Sequence, residues 1–310
     1  MSLSFEQAMR LAGLHPRDVV ADSKWRRCAT DDHPKKRNGA YRLDVDGRRG
    51  WWRNWAIDDG LNTWVDDKAS QARPIDPAML ERRRLKERQD RLQGIGWARK
   101  LWAESAPYRP HRYLADKGLS AQGCQMLRLW QGSVWVDEGN LVDDTWLIVP
   151  LYWRDKLVNV QRISGTGIKR QMKQAPVRGC SLILGQPRAA VTVITEGLAT
   201  GLSVYQSMRH ARVIVAFFAD NLLPVVQLVK PTGSVVIAAD NDHATLKKRG
   251  FNPGLEKAQN AADLIGCGVA WPVDICGSDW ADYLREVGEG AARKLERHIL
   301  AAARYVEAPS

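Results

Sequence analysis

The sequence predicts an α/β protein: a mostly parallel, Rossmann-like sheet flanked by helices in the C-terminal part, preceded by a mixed α+β basic segment and a small N-terminal β module. Three observations carry this reading. Residues 191–195 and 234–239 are short β-branched runs, buried on both faces by composition, and a third such run lies between them at 213–218. Helical patterns at 198–208 and 222–229 separate the three runs. Alternation of this kind implies parallel pairing, with ligands held at the C-terminal ends of the strands. Glu196, Asp240 and Asp242 all fall at such ends.

The totals narrow the partners. A chain of 310 residues has room for two domains and a small third. Its formal charge of +11 and isoelectric point near 9.6 point to a polyanion, nucleic acid above all. Thirteen tryptophans stand against four phenylalanines; packing accounts for most, and flat faces beside Arg and Lys also suit unpaired bases. No apolar run approaches membrane-span length, and the first residues lack a signal-peptide layout. Five scattered cysteines without a C-x-x-C pair predict reduced thiols in a cytoplasm, no disulfide framework and no zinc.

Taken in order, Ser4 caps a first helix over 5–14. Residues 24–53 carry ten basic and four acidic side chains, with strand-like pieces at 40–45 and 50–55 joined at Asp46-Gly47, a strong hairpin signal. The module 1–68 is read as a basic, tryptophan-rich β module touching nucleic acid, with Arg37, Trp52 and Arg53 as contacts. Residues 69–107 form a linker and a long helix from 77 to 104, whose stretch 81–100 holds eight basic residues against three acidic. Arg83 and Arg84 are its expected phosphate contacts.

Residues 108–188 begin with a short helix at 110–117, stopped by Gly118, and another capped by Ser120. Period-two strands follow at 133–136, 145–151, 157–163 and 167–172, with turns at Gly139-Asn140 and Arg154-Asp155. Arg162, Lys169, Arg170 and Lys173 lie in the last two of these or just beyond and suit nucleoside triphosphates or a template backbone. In 189–310, a polar excursion at 243–252 follows the third run. Pro253 favours the first turn of a helix reaching 265, a strand at 269–272 comes next, and helices near 280–287 and through 305 end the pattern.

Asp240 and Asp242 flank one residue, so an extended backbone would point both the same way. Two like charges so placed call for a cation between them. Magnesium binds through one or two carboxylates and keeps water and phosphate oxygens as its other ligands. Glu196 is expected as a third ligand or a general base, and Gly197 leaves room for a phosphate. Asp279 and Asp282 supply further acid groups near the next strand end, and two ions would suit in-line phosphoryl transfer. No Walker glycine loop or Gly-x-Ser-x-Gly elbow is present, and the six histidines show no metal spacing.

Glu196-Gly197 after one strand with Asp240-Asn241-Asp242 after another resembles a Toprim domain, the catalytic module of bacterial-type primases, topoisomerases and some nucleases. The wider pattern is similar to Toprim primases of phages, plasmids and other mobile elements: Glu196 to Gly201, Asn221-Leu222, Val236 to Asp242, Asn252-Pro253-Gly254 and Asp279 to Asp282. Upstream, Tyr113-Leu114 through Gly118-Leu119 is similar to a primase helix motif. Pro150-Leu151 through Gly165 and Gly167 to Arg170 are similar to the basic subdomain preceding Toprim.

The resemblance implies synthesis of short RNA primers on single-stranded DNA from nucleoside triphosphates, with Mg2+ or Mn2+ as two ions, beside a separately encoded helicase. Glu196, Asp240 and Asp242 become the catalytic carboxylates and metal ligands, with Asp282 as a supporting ligand. Lys169, Arg170, Gly197 and Asn221 face nucleotide or template. The chain departs from the pattern at Asp220, at Ala281, and in lacking the cysteines of a zinc ribbon near Cys28 and His33. A metal-dependent nuclease and a non-catalytic single-stranded-DNA-binding protein are the alternatives.

Overall fold

The computed structural model describes residues 3–58, 60–66, 77–137, 139–250 and 252–307. The chain forms two compact units, 1–85 and 86–310. The expected linker from 69 to 76 lies outside the described residues.

In the first unit, α1 (Phe5–Leu11) precedes five antiparallel strands paired in chain order: β1 (Leu14–His15), β2 (Arg26–Thr30), β3 (Gly39–Leu43), β4 (Arg49–Asn54) and β5 (Asn62–Val65). Ser4 and Gln7 close a capping box at the start of α1. The hairpin at Asp46-Gly47 joins β3 to β4. Cys28, Tyr41 and Leu43 turn toward Phe5, Met9 and Leu14 to form one core. Gly50 has no side chain because a Cβ there would lie 2.2 Å from the Phe5 ring. Trp52 and Trp64 lie tilted on that ring, with centroids 5.9 and 5.5 Å away. Trp51 alternates to the opposite face, where the Arg42 guanidinium sits 5.2 Å from its ring centre. Arg27 and Arg53 stack on Trp55 at 5.2 and 4.4 Å. The sequence-predicted strands in this unit were two; β1, β2 and β5 are too short or too polar to show a period of their own.

The unit boundary falls inside α2 (Pro77–Glu104). After it come β6 (Ala106–Pro107), α3 (Arg112–Asp116), β7 (Arg128–Asp137), β8 (Asn140–Trp153), β9 (Lys156–Ile163) and β10 (Lys169–Gln171), a sheet in the order β10-β9-β8-β7-β6. Alternation along β8 divides its residues between two cores. Trp146 and Ile148 pack with Ala98 and Leu101 of α2, whereas Leu147, Val149 and Leu151 face the other way, into the core of the next sheet. No helix forms at Ser120, whose hydroxyl accepts from the Gln122 N–H in a turn.

The third sheet holds β11 (Leu182–Leu184), β12 (Val191–Thr195), β13 (Ala211–Val215), β14 (Gly233–Ala238) and β15 (Gly268–Ala270), in the order β11-β13-β12-β14-β15. From β13 to β15 every pairing is parallel; β11 adds antiparallel to β13. Its helices are α4 (Leu198–Ser207), α5 (Leu222–Val229), α6 (His243–Arg249), α7 (Pro253–Ile265), α8 (Trp280–Val287) and α9 (Ala291–Ala302). Both sheet faces are covered, so each strand is apolar on alternate residues in both directions. Val193, Val213 and Val236 join one core with Leu202 of α4, Trp280 of α8 and Leu295 of α9. Ile194, Ile214 and Ile237 join another with Val225 of α5 and Ala261 of α7.

Two elements differ from expectation. The polar stretch after Asp242 is helical, because Asp242 itself caps α6. The last helix stops at Ala302, and β16 (Arg304–Val306) pairs antiparallel with Gly233 to Val235, the half of β14 that β15 leaves unpaired. Among the described residues no helix is long and apolar enough to cross a membrane.

Gly268 gives a test of this packing. A Cβ there would lie 1.7 Å from the Ala302 carbonyl oxygen, backbone against backbone. Gly268→Ala is expected to cost about 1–3 kcal/mol, the usual range for overpacking. Calorimetry should show a lower Tm, and an unchanged Tm would contradict the close approach of β15 and α9.

Candidate active site

Parallel register builds the site. Thr195 is paired with Ala238 across β12 and β14. Glu196 leaves β12 one residue later and Asp240 leaves β14 two residues later, so both emerge at the same C-terminal edge. The Thr200 hydroxyl, in the first turn of α4, donates to Asp240 Oδ1 at 2.7 Å. Glu196 lies against the start of α7, its Oε2 3.5 Å from where a Cβ of Gly254 would stand.

The two carboxylates burden one another. Burial pushes the Asp240 carboxyl up to about 8, and the neighbouring Glu196 charge adds to the rise. Glu196 is likewise held above its ordinary value, first by burial. The Lys169 ammonium counters both, and Lys257 counters Glu196 in part. Lys257 is itself held 2.5 Å from Asp220, a position at which the chain departs from the Toprim pattern.

Asp242 takes a different direction from Asp240. β14 ends at Ala238, so period-two geometry no longer applies at the Asp-Asn-Asp turn. Asn241 fixes that turn: its N–H donates to Ser278 O at 2.7 Å, its amide donates to Pro272 O, and its amide oxygen accepts from Asn252. Asp242 is exposed and accepts from the Thr245 N–H and hydroxyl as the cap of α6.

Asp282 departs from the role expected of it. It is 7% exposed and accepts from Lys117 Nζ at 3.1 Å, Arg285 at 3.0 Å and the Ser278 N–H. Burial opposes ionisation, and the Lys117 hydrogen bond overcomes it, holding the carboxyl below its ordinary value. Asp282 is therefore an ion-pair residue rather than an open ligand. Among the described residues no group of three or more His, Cys, Asp or Glu side chains is arranged to hold a metal. Of the four expected carboxylates, Glu196 and Asp240 stand together at the sheet edge, whereas Asp242 caps α6 and Asp282 pairs with Lys117 and Arg285. That pair fits a hard divalent cation, because an ion that displaces the Asp240 proton meets two neighbouring carboxylates and leaves its other coordination positions to water and phosphate.

The remaining expected residues separate clearly. Gly197 starts α4, and a Cβ there would meet open space, so the edge beside Glu196 is accessible. Asn221 is fully buried. Its amide donates to Cys180 O and Ala216 O and its oxygen accepts from Gly179 N–H, which excludes the nucleotide contact expected of it. Arg170 donates through Nε and Nη2 to Val136 O, anchoring β10 to the end of β7. Arg162 is paired directly with Arg170 across β9 and β10. Like charges so placed are unfavourable without an anion nearby. Lys173 is exposed, and Arg84 is exposed on α2; the Arg83 side chain lies outside the described residues. In the first unit, Trp52 is half-buried against the Phe5 core, and Trp51 and Trp55 are the rings that carry arginines. Cys28 belongs to the same core, its thiol pushed up to about 11 by burial. Sequence reasoning missed Lys117 and Thr200: each meets its carboxylate only across long stretches of chain, a separation no local pattern reveals.

Comparisons with known proteins agree with this geometry. Residues 191–290 match the family model of the Toprim domain. The chain is similar to the DNA primase TraC of Escherichia coli, 28% identical over 314 aligned positions that cover 96% of this chain and 28% of that protein. A second Escherichia coli DNA primase TraC is 28% identical over 207 positions, covering 64% of this chain and 13% of the relative. The chain thus spans about a quarter or less of the length of these curated relatives. Among solved structures, it aligns with a DnaG primase catalytic domain bound to single-stranded DNA at a TM-score of 0.45 and 15% identity, covering 71% of this chain and 83% of that one. It aligns with the primase fragment of the bacteriophage T7 primase-helicase at a TM-score of 0.43 and 13% identity, covering 85% and 95%.

The raised carboxyls give a pH prediction. In the metal-free protein Asp240 keeps its proton between the ordinary aspartate value of 3.8 and about 8, a range in which the unfolded chain has released it. Stability from this group is full below 3.8 and is lost as pH rises through about 8. With a chelator present, Asp240→Asn is expected to melt above the wild type at pH 8 and to converge with it near pH 4. Mg2+ should raise the wild-type Tm at pH 8 and leave that of the variant unchanged. A wild type and variant with parallel Tm profiles across this range would contradict the assignment.

Proposed function

We propose that the chain is the catalytic part of a DNA primase of a plasmid or other mobile element, making short RNA primers on single-stranded DNA from nucleoside triphosphates. The observation that carries this is the Glu196–Asp240 pair, at the edge of a parallel sheet whose residues match a Toprim domain. The likeness to TraC primases over most of this chain supports synthesis over hydrolysis, as does the basic β7–β10 sheet beside the pair.

Glu196 and Asp240 would hold Mg2+ or Mn2+, which when bound polarises phosphoryl oxygens and stabilises the charge of in-line displacement. Thr200 orients Asp240. Glu196, with its carboxyl held above the ordinary range, is suited to exchange a proton with the attacking hydroxyl. Asn241 fixes the turn that carries Asp240 at the sheet edge, and Asp242 caps α6 just beyond it. Gly197 leaves room for a phosphate beside the start of α4. Lys169 and Arg162 attract the triphosphate, Lys173 the strand beyond, and Arg170 holds the strand that carries Lys169. In the first unit Arg42 with Trp51, and Arg27 and Arg53 with Trp55, form a basic aromatic face for single-stranded template without zinc; Arg37 and Arg84 add phosphate contacts. A separately encoded helicase, met in the cytoplasm, would supply the template.

Single-stranded DNA, labelled ribonucleotides and Mg2+ or Mn2+ should yield short RNA with the wild type. Asp240→Ala or Glu196→Gln should lower the yield by at least about 100-fold, the scale of losing a principal electrostatic group. Cleavage of the DNA without nucleotides, and no RNA, would replace this reading by a nuclease.

The template face is tested apart from catalysis. Arg42→Ala with Trp51→Ala is expected to weaken single-stranded DNA binding and to flatten its salt dependence by about 0.7 log units per log unit for the lost phosphate contact. Unchanged affinity and slope in a folded variant would remove the first unit from template binding.

A further inference from the structure

A polar tie joins parts of the second unit that are far apart in sequence. Lys117, at the C-terminal end of α3, donates to Asp279 at 2.6 Å and to Asp282 at 3.1 Å, residues 162 and 165 positions further on. All three side chains are mostly shielded, at 23%, 15% and 11% exposure. Arg285 of α8, which also binds Asp282, donates to the backbone oxygen of Asp116 at 3.3 Å. Just beyond, the Gln206 side chain of α4 donates to Ser120 O and Gln122 O and accepts from the Ser120 N–H. The end of α3 and the turn after it are thus fastened to α4 and α8 by three side chains.

Stability is a weak reason for such a tie. A shielded ion pair contributes little net stability compared with apolar side chains of the same shape, because both charges lose their hydration. What it confers is a fixed position. Tyr113 lies one helical turn before Lys117, on the same side of α3. Its ring is buried, and the Lys169 ammonium lies 5.9 Å from the ring centre, within cation–π range. The loop leading to Lys169 rests on the same ring: a Cβ on Gly167 would stand 3.5 Å from it. Lys169 is in turn the cation whose field eases the burdened charges of both Glu196 and Asp240.

We propose that Lys117 is a positioning residue for triphosphate binding: by locking α3 to Asp279 and Asp282 it fixes the Tyr113 ring that aims the Lys169 ammonium at the site of Glu196 and Asp240. This rests on the reading of that site as one for a metal-bound triphosphate. Lys117 touches neither carboxylate of the pair, so its effect passes through Tyr113 and Lys169.

The test is equilibrium binding of ATP with Mg2+ to the full chain, by calorimetry. Lys117→Met keeps the apolar stem and removes the ammonium; it is expected to raise the Kd at least 10-fold with unchanged stoichiometry. Lys117→Arg should recover most of the affinity. Tyr113→Phe should bind as the wild type does, whereas Tyr113→Leu should match Lys117→Met. In a Lys169→Ala background, Lys117→Met should add no further loss, since the two then act along one path. A merely structural role gives another pattern: fewer binding sites per chain at an unchanged Kd, which would overturn the proposal. Full additivity of Lys117→Met with Lys169→Ala would overturn it as well. A wild type that binds no ATP with Mg2+ would instead overturn the reading of the site itself, and this proposal with it.

Discussion

Two carboxylates that repel each other, drawn partly out of water at one sheet edge, are the constraint on which the rest of this structure depends. Neither Glu196 nor Asp240 is placed there to stabilise the fold; both carboxyls are pushed up by burial, and Asp240 further by its neighbour. Sites of this kind persist only where surrounding structure holds them in place. Here the holding is done by β12 and β14, paired in register and apolar on both faces, which cannot slide without exposing one core or the other.

The basic sheet and the parallel sheet share one core. Leu147, Val149, Leu151 and Ile163 of β8 and β9 share a core with Val191, Val193 and Val213. β11 leads from one sheet to the other, with Ser181 bridged to Tyr152 on one side and Leu182 to Leu184 paired with β13 on the other. Lys169 therefore reaches the carboxylates from a surface that does not move independently of them. Rigid support is the usual condition for electrostatic preorganisation, since a charge that must be reoriented on binding loses most of its effect.

Charge is handled differently at the neighbouring acidic positions. Asp279 and Asp282 are as carboxylate-rich as the site itself, yet each is paired with Lys117, and Asp282 also with Arg285. Asp220 is paired with Lys257. Acids held in ion pairs thus surround two carboxyls that are raised by burial and only partly offset by Lys169 and Lys257. The sequence alone shows these acids near strand ends without the cations that pair with Asp220, Asp279 and Asp282.

How much the sequence determined follows from the range of the physics involved. Strands apolar on both faces, the hairpin at Asp46-Gly47, the Asn252-Pro253 start of α7 and the order of Glu196 before Asp240 are local or periodic features, and a chain read residue by residue shows them. The direction of Asp242, the ion pairing of Asp282, the burial of Asn221 and the packing of Trp52 on Phe5 depend on partners that are close in space and mostly distant in sequence. Capping, hydrogen-bond satisfaction and ring packing are decided only when those partners meet. Local pattern thus placed acids at a sheet edge, and tertiary structure decided which of them are held in ion pairs and which are buried beside one another.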